Sequence, residues 1–580
     1  MTQPSPKKKI VIRSVENISA ELVGLHPILQ RIFSARHITT LADLERGLTH
    51  LPSPWLLAGM EEMVGFLITA IEQQQKIVIV ADYDADGATS CAVAVRGLTM
   101  LGASRVEFVV PNRFKYNYGL TPEIVALVKE LHSDVQIILT VDNGTSDTDG
   151  INAANQLGIC VLVTDHHLPH RQLPNAAAIV NPNLHHCKFP SGNLAGCGVI
   201  FYVLMALRTR LRERDFFKQQ AEPNLAELLD YVALGTVADV VILDQINRAL
   251  VHQGLLRIRK GLAHAGINAL IKIAARNPQM LLSSDLGFSI APRLNAAGRM
   301  NDMSLGIQCL LADNEAQATP LAEKLDALNR ERKEVEEQMK HEAFLLLDQK
   351  WIDEKHLLSG VCLYDENWHQ GVIGILASRL KDKLHRPVIA FAPSGTGEIK
   401  GSARSIPGVH IRDVLSDIAA AHPKLLTKFG GHAMAAGLSL QMHDFPPFAL
   451  AFDEMVAKQL QHMDLQEQIL TDGELSETDF NLEFAQLLQN AATWGQGFPE
   501  PVFNGVFDVI QARVVGKQHL KLVLRLPFTN SLIDAIAFFV EQPDSWLKAQ
   551  QIQMVYKLDV NEYKGQRSVQ LQVQYLERIH

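Results

Sequence analysis

Between residues 55 and 270 short apolar stretches alternate with helical patterns, and this rhythm constrains the chain more than any other feature. Lys76–Ala81, Val106–Val110, Val135–Val141, Ile159–Val163 and Ala178–Val180 read as strands. Pro122–Leu131 and Asp149–Leu157, lying between them, read as helices. Strand, helix, strand in this order predicts an α/β domain with a parallel sheet and helices on both faces. Ligands of such sheets bind at the carboxyl ends of the strands, so the residues just after each strand are the informative ones.

Three of those ends carry groups able to hold a metal. Asp82-Tyr83-Asp84-Ala85-Asp86-Gly87 follows the first strand. Crowded carboxylates repel one another unless positive charge lies between them. A turn or helix cap is the plain alternative, since Asp and Gly favour both. An EF-hand loop begins with a similar pattern, but the preceding helix is missing and Val93 stands where its Glu belongs. Asp142-Asn143-Gly144 follows the third strand, and Asp165-His166-His167 follows the fourth. Gly235-Thr236-Val237-Ala238-Asp239 ends another apolar stretch on one carboxylate, where a helix cap is an equal reading. Asp82, Asp84, Asp142, His166 and Asp239 make an oxygen-rich set with one imidazole, which suits manganese or magnesium. The set is large enough for two ions, an arrangement suited to in-line displacement at phosphorus.

A chain of 580 residues needs more than one core. Residues 1–54 read as a mostly helical lead-in to the sheet domain at 55–270. Residues 271–350 form a connecting segment with one long helix at about 313–349, in which Leu321, Leu325, Leu328, Val335 and Met339 recur at helical spacing. Short strands and Gly-rich turns return at 351–447, predicting a second α/β domain. Residues 465–580 turn to β structure, with strands at Phe503–Val515, Leu520–Arg525, Ile533–Val540, Met554–Leu558 and Val569–Val573. Five short strands predict a small barrel of the OB type. No apolar run is long enough for a membrane span, and charges interrupt what would be a signal core. Six cysteines without C-x-x-C pairs point to reduced thiols and a cytoplasmic protein.

The four motifs Asp82–Gly87, Val141–Gly144, Asp165–His167 and Gly235–Asp239, in this order, resemble the DHH phosphoesterases. The resemblance implies that Asp82 and Asp84 bind different ions, that Asp142 bridges them, and that His166 and Asp239 complete the shell. It also implies that Asp165 orients a His and that His167 lies near the substrate phosphate. Many relatives carry a His shortly before the first Asp; Val78, Val80 and Ala81 fill that stretch here. Lys428-Phe429-Gly430-Gly431-His432-Ala433 resembles the GGH motif of the DHH-associated domain, with His432 placed to contact the scissile phosphate. Gly401-Ser402-Ala403-Arg404-Ser405 and Trp368–Gly374 resemble the same domain.

Val110–Phe114, Ala291–Arg299 and the C-terminal region resemble one branch of that family, the exonucleases that degrade single-stranded DNA from a 5′ end. For this branch the resemblance implies a 5′-phosphate pocket, with Arg113, Ser402 and Arg404 as candidates and Arg299 beside the path of the strand. Net charge is −9, but residues 511–580 hold nine Lys/Arg against six Asp/Glu. Lys517, Lys521, Arg525, Lys564 and Arg567 interleave there with Tyr556 and Tyr563, a pattern that suits a groove for single strands. An ordinary barrel with a solvated face is the alternative. A phosphodiesterase for short oligonucleotides or cyclic dinucleotides has little use for such a barrel, a pyrophosphatase would end in a different second domain, and a silent scaffold would have lost metal ligands. The expectation is a two-metal, single-strand-specific 5′→3′ exonuclease of DNA repair and recombination. It would be monomeric and membrane-free, and would release 5′-mononucleotides with single-strand-binding protein and a helicase as partners.

Overall fold

The structure, a computed structural model, describes residues 7–579 apart from Glu16, Asn117, 351–357, Thr396, Thr427, 462–465, 528–529 and Lys564. The chain forms two compact units, Ile10–Asp326 with Leu470–His580 and Ala327–Ile469 with the N-terminal residues.

In the first unit, the lead-in is less helical than its sequence suggests. It contains a strand, Lys9–Ile12, one α-helix, Pro27–Ser34, and several three-residue helical turns. The sheet domain then runs α1 (Met60–Glu72), β1 (Ile77–Ala81), α2 (Ala85–Met100), β2 (Val106–Val109), α3 (Pro122–Leu131), β3 (Ile137–Val141), α4 (Thr148–Gln156), β4 (Cys160–Thr164), β5 (Ala178–Val180), α5 (Gly196–Glu213) and α6 (Leu229–Ala238). The strands lie in the order β2-β1-β3-β4-β5, and every pairing is parallel. β1 and β3 are buried at all five positions, as strands covered on both faces must be. On one face Val78, Val80, Ile138, Val161 and Val163 pack against Ile124 and Val128 of α3 and Ile151 and Ala154 of α4. α2 lies against both α5 and α6. Each strand starts and ends within two residues of its predicted position.

Helix α7 (Ala291–Met300) follows, and the long helix α8 (Glu315–Lys350) spans the division between the units. The second unit contains β6 (Val361–Tyr364), α9 (Ile373–Leu384), β7 (Val388–Pro393), β8 (Glu398–Arg404), β9 (Lys428–Gly431) and β10 (Ala435–Gln441). Its sheet order is β9-β10-β8-β7-β6, in which only β6 and β7 run parallel. Phe391, Phe448 and Phe452 anchor its core, with the last two rings stacked.

The C-terminal region closes into a five-stranded barrel of β11 (Phe503–Val515), β12 (His519–Arg525), β13 (Leu532–Ala537), β14 (Gln551–Tyr563) and β15 (Gln566–Arg578). The barrel belongs to the same compact unit as the parallel sheet. Arg36 contributes to this join: it is buried, pairs with Asp472 at 2.7 Å and lies 5.4 Å over the Trp494 ring. Ser283 Oγ donates to the Trp494 carbonyl at 2.6 Å. Among the described residues no single helix is long and apolar enough to cross a membrane. All six cysteines are free thiols.

Candidate metal centre

The parallel sheet places its functional side chains where a strand ends and the backbone turns. Asp82 follows β1, Asp142 follows β3, and Asp165, His166 and His167 follow β4. Asp84 is the N-cap of α2 and accepts from the Asp86 and Gly87 amides at 2.9 and 3.0 Å. The cap reading of this motif therefore holds, and because both amides use the same oxygen it is compatible with the metal reading. Asp239 likewise occupies the C-cap of α6 and also presents its carboxylate 3.6 Å from His166 Nε2.

The five predicted ligands come together. Asp82, Asp84 and Asp142 offer atoms within 4.8 Å of one another, so Asp82 and Asp84 share one group. Asp142 also meets His166 and His167 within that distance, and His166 meets Asp239 and Asp86. Three of these atoms, Asp82 Oδ1, Asp142 Oδ1 and His166 Nε2, are buried and make no hydrogen bond. Leaving several adjacent acceptors without a donor is costly unless a cation satisfies them. The protonation equilibria agree. Burial, followed by the neighbouring carboxylates, raises Asp142 and Asp239 well above the usual range, and burial with the Asp84 charge does the same for Asp82. Burial and the charge of His167 lower His166, which keeps its ring neutral with a lone pair to offer. The donor set and its unsatisfied atoms fit divalent cations with oxygen and imidazole ligands.

Asp165 serves a different purpose. Its Oδ1 accepts from the His166 and His167 amides at 2.7 and 3.0 Å and lies 2.8 Å from His167 Nδ1, while Oδ2 accepts from Thr145 N. Burial works to raise this acid, but those bonds and the His167 charge hold it at about 2. Burial also works to lower His167, yet its bond to Asp165 raises it to about 9. The His that Asp165 orients is therefore His167, which carries positive charge beside the carboxylates.

Sequence reasoning missed several supporting residues. Asp86 is buried and accepts from Gly196 N and Cys197 N, the first amides of α5, at 2.6 and 3.0 Å. Asn181 Nδ2 donates to the His167 carbonyl at 2.8 Å, and Asn183 Nδ2 to the His166 carbonyl at 2.6 Å. The Asn181-Pro182-Asn183 run directly after β5 was the available signal. Tyr118 Oη donates to the Asp142 carbonyl at 3.2 Å.

Of the predicted substrate residues, Arg113 stacks over the Tyr83 ring at 4.7 Å and helps stabilise the Asp82 charge. Arg299 stands in the last turn of α7, next to Gly298, where a Cβ would run into the Tyr83 carbonyl. Arg113 thus borders the metal cluster, and the helix that carries Arg299 packs against the backbone at Tyr83. Ser402, Arg404 and His432 gather in the second unit. Arg404 Nη1 donates to Ser402 Oγ at 3.1 Å, and Gly374 at the start of α9 approaches both side chains closely. The His432 amide donates to Ala435 O at 2.8 Å, and Ala435 faces Arg404 across the sheet.

The barrel groove needs correction. Tyr556 is 1% exposed and packs against Phe507 and Phe480 inside the barrel, so it stacks on no base. Lys521 pairs with Asp534 and Arg567 with Glu562. Lys564 and the Tyr563 side chain lie outside the described residues.

Comparison with known proteins gives the same outline. Family models match at residues 76–236 (DHH family, N-terminal domain), 355–458 (DHHA1 domain) and 471–575 (RecJ OB domain). The chain is 50% identical over 562 residues to the single-stranded-DNA-specific exonuclease RecJ of Haemophilus influenzae, covering 96% of this chain and 97% of that one. It is 48% identical over 566 residues to the Escherichia coli protein of the same name, covering 96% and 97%. The crystal structure of RecJ in complex with Mn2+ from Thermus thermophilus superposes with a TM-score of 0.78 at 27% identity, covering 99% of this chain and 79% of that one.

Proposed function

Because the chain belongs to the RecJ family of single-stranded-DNA-specific exonucleases, within the DHH phosphoesterases, we propose that it hydrolyses single-stranded DNA stepwise from the 5′ end and releases 5′-mononucleotides. The observation that carries this reading is the convergence of buried, unsatisfied Asp82 Oδ1, Asp142 Oδ1 and His166 Nε2. Asp82, Asp84, Asp142, His166 and Asp239 would hold two divalent ions, Mn2+ or Mg2+, with Asp142 between them. The Thermus thermophilus relatives are described in complex with each of these ions. Bound there, the ions would supply Lewis acidity toward water and toward the phosphate oxygens.

The chain's own residues do the rest. His167, positively charged and fixed through Nδ1 by Asp165, donates from its Nε2 edge to a phosphate oxygen. Ser402 and Arg404 bind the 5′-terminal phosphate, since guanidinium and hydroxyl groups match its oxygens, and Arg113 is a further candidate for that role. His432 contacts the scissile phosphate, and Arg299 follows the strand beyond it. The barrel supports the single strand. In the cell the setting we propose is DNA repair and recombination, with the enzyme as a monomer acting beside single-strand-binding protein and a helicase.

The test is digestion of a long single strand labelled at either end, with Mn2+ or Mg2+, alongside a circular strand of equal length. Early release of label from the 5′ end alone is expected, with the circle untouched. Equal cleavage of the circle would remove the end requirement.

A further inference from the structure

Asp142, the carboxylate shared by the ligand groups, has an unusual backbone. Its φ is +64°, in the left-handed region that an Asp adopts only at a conformational cost. A residue held in that region persists when its surroundings over-determine it. Three contacts do so here. The Asp142 amide donates to Thr164 O at 3.0 Å. Gly196 at the start of α5 lies so close that an added Cβ would stand 2.7 Å from Asp142 Cβ. The third is the only one made by a side-chain hydrogen bond: Tyr118 Oη donates to the Asp142 carbonyl at 3.2 Å.

Tyr118 is itself well anchored. Its ring meets the Tyr83 ring edge-on at 5.8 Å and the His167 ring edge-on at 6.0 Å. Its hydroxyl also lies 3.5 Å from His167 Nε2. The hydroxyl proton goes to the Asp142 carbonyl, so the oxygen lone pairs face the imidazole. One side chain thereby ties the loop before α3 to the turns after β1, β3 and β4, all of which carry candidate ligands or their neighbours.

We infer that Tyr118 is a positioning residue of the metal centre: its hydroxyl locks the left-handed turn at Asp142 and so fixes where the shared carboxylate points. The inference rests on the metal-dependent reading above. Loss of the hydroxyl leaves all ligands in place but frees the turn, so it weakens the hold on the ions. Removal of a group that orients a ligand typically lowers metal affinity by roughly 10- to 100-fold.

The test is Tyr118→Phe in the full-length chain, which keeps the ring and its contacts and removes only the oxygen. Mn2+ binding is read from the loss of the free-ion paramagnetic resonance signal, with no DNA present. Affinity about tenfold weaker than wild type is expected. With DNA, kcat at low Mn2+ should fall and recover as Mn2+ is raised, while KM for the strand stays put. Unchanged Mn2+ affinity in the variant overturns the inference, whether or not its melting temperature in EDTA has dropped. A wild-type chain that takes up no Mn2+ overturns the metal reading itself, and this inference with it.

Discussion

His166 Nε2 stands 3.0 Å from Asp142 Oδ1 and 3.6 Å from Asp239 Oδ2, yet neither His166 Nε2 nor Asp142 Oδ1 makes a hydrogen bond. A neutral imidazole lone pair and an ionised carboxylate oxygen at that distance repel one another, and a cation held by both would relieve the repulsion. Asp142→Ala removes the shared oxygens. The variant should lose nearly all cleavage while still binding a single strand. Turnover on end-labelled DNA and fluorescence anisotropy on the same oligonucleotide measure the two separately. Near-normal turnover would deny Asp142 its bridging role.

The same geometry makes the apo protein electrostatically uncomfortable. Asp82, Asp86, Asp142 and Asp239 are all pushed upward by burial and then by neighbouring carboxylates, Asp84 among them in every case. A ligand that binds only the folded state stabilises it by about 2.7 kcal/mol at a hundred times its Kd. Added Mn2+ should therefore raise the melting temperature by a few degrees and EDTA should reverse the shift, whereas NaCl at equal ionic strength tests for simple ionic screening. A melting temperature indifferent to Mn2+ would count against the site.

The sheet was legible because its signals are local. Runs such as Ile77–Ala81 announce a buried strand, and the residue after such a run is exposed to the ligand end by topology. Asp86 stood in the Asp82–Gly87 motif but its role was hidden, because it reads as the second residue of a helix and the first amide it binds belongs to α5, 110 positions away. Tyr118 sits in a loop with no periodicity, and nothing local links it to Asp142. Tyr556 was readable and was misassigned: it alternates with Met554 and Leu558, all three buried, so a period of two already pointed it inward. The predicted strand Ile533–Val540 stops at Ala537 because Phe539 turns left-handed at φ +53°. The strands near 554 and 569 run longer than predicted, to 13 residues each, because their polar ends pair with one another beyond the apolar centre.

Close packing at Gly196 makes a second variant informative. A Cβ there would meet Asp142 Cβ at 2.7 Å and Oδ1 at 2.8 Å. The first amides of α5 also hold Asp86, so the helix has no room to retreat without releasing that bond. Gly196→Ala should weaken Mn2+ binding and cleavage more than tenfold, the scale typical of a disturbed ligand shell. Wild-type Mn2+ affinity would show that the approach is not constraining.

Away from the site, His252 gives the fold a pH dependence. Burial, then the charges of Arg46 and Arg259, lower its pKa to about 4, against an ordinary value of about 6.5. Above pH 6.5 the ring is neutral in both folded and unfolded chains and contributes nothing. Between about 6.5 and 4 only the unfolded chain gains the proton, so stability falls as the pH drops. His252→Gln should lessen the decline in the urea midpoint between pH 7.5 and pH 5. An identical decline in the variant would assign the acid sensitivity to other groups.

Arg404 offers the sharpest test of how the strand's end is recognised. It is held by Ser402 Oγ at 3.1 Å and by the close approach of Gly374, which fixes the direction of the guanidinium. A fixed guanidinium with a hydroxyl beside it discriminates a phosphate from a bare hydroxyl by charge and by hydrogen bonds. Arg404→Ala should therefore slow cleavage of 5′-phosphorylated strands and leave 5′-hydroxyl strands nearly as before, collapsing the ratio of the two rates toward one. The comparison uses one oligonucleotide with and without the terminal phosphate, at saturating Mn2+. Arg404→Lys restores charge but not the planar fork, so it should recover only part of the preference. If the ratio in Arg404→Ala equals that of the wild type, the 5′ phosphate is held by other residues, with Arg113 the next to replace.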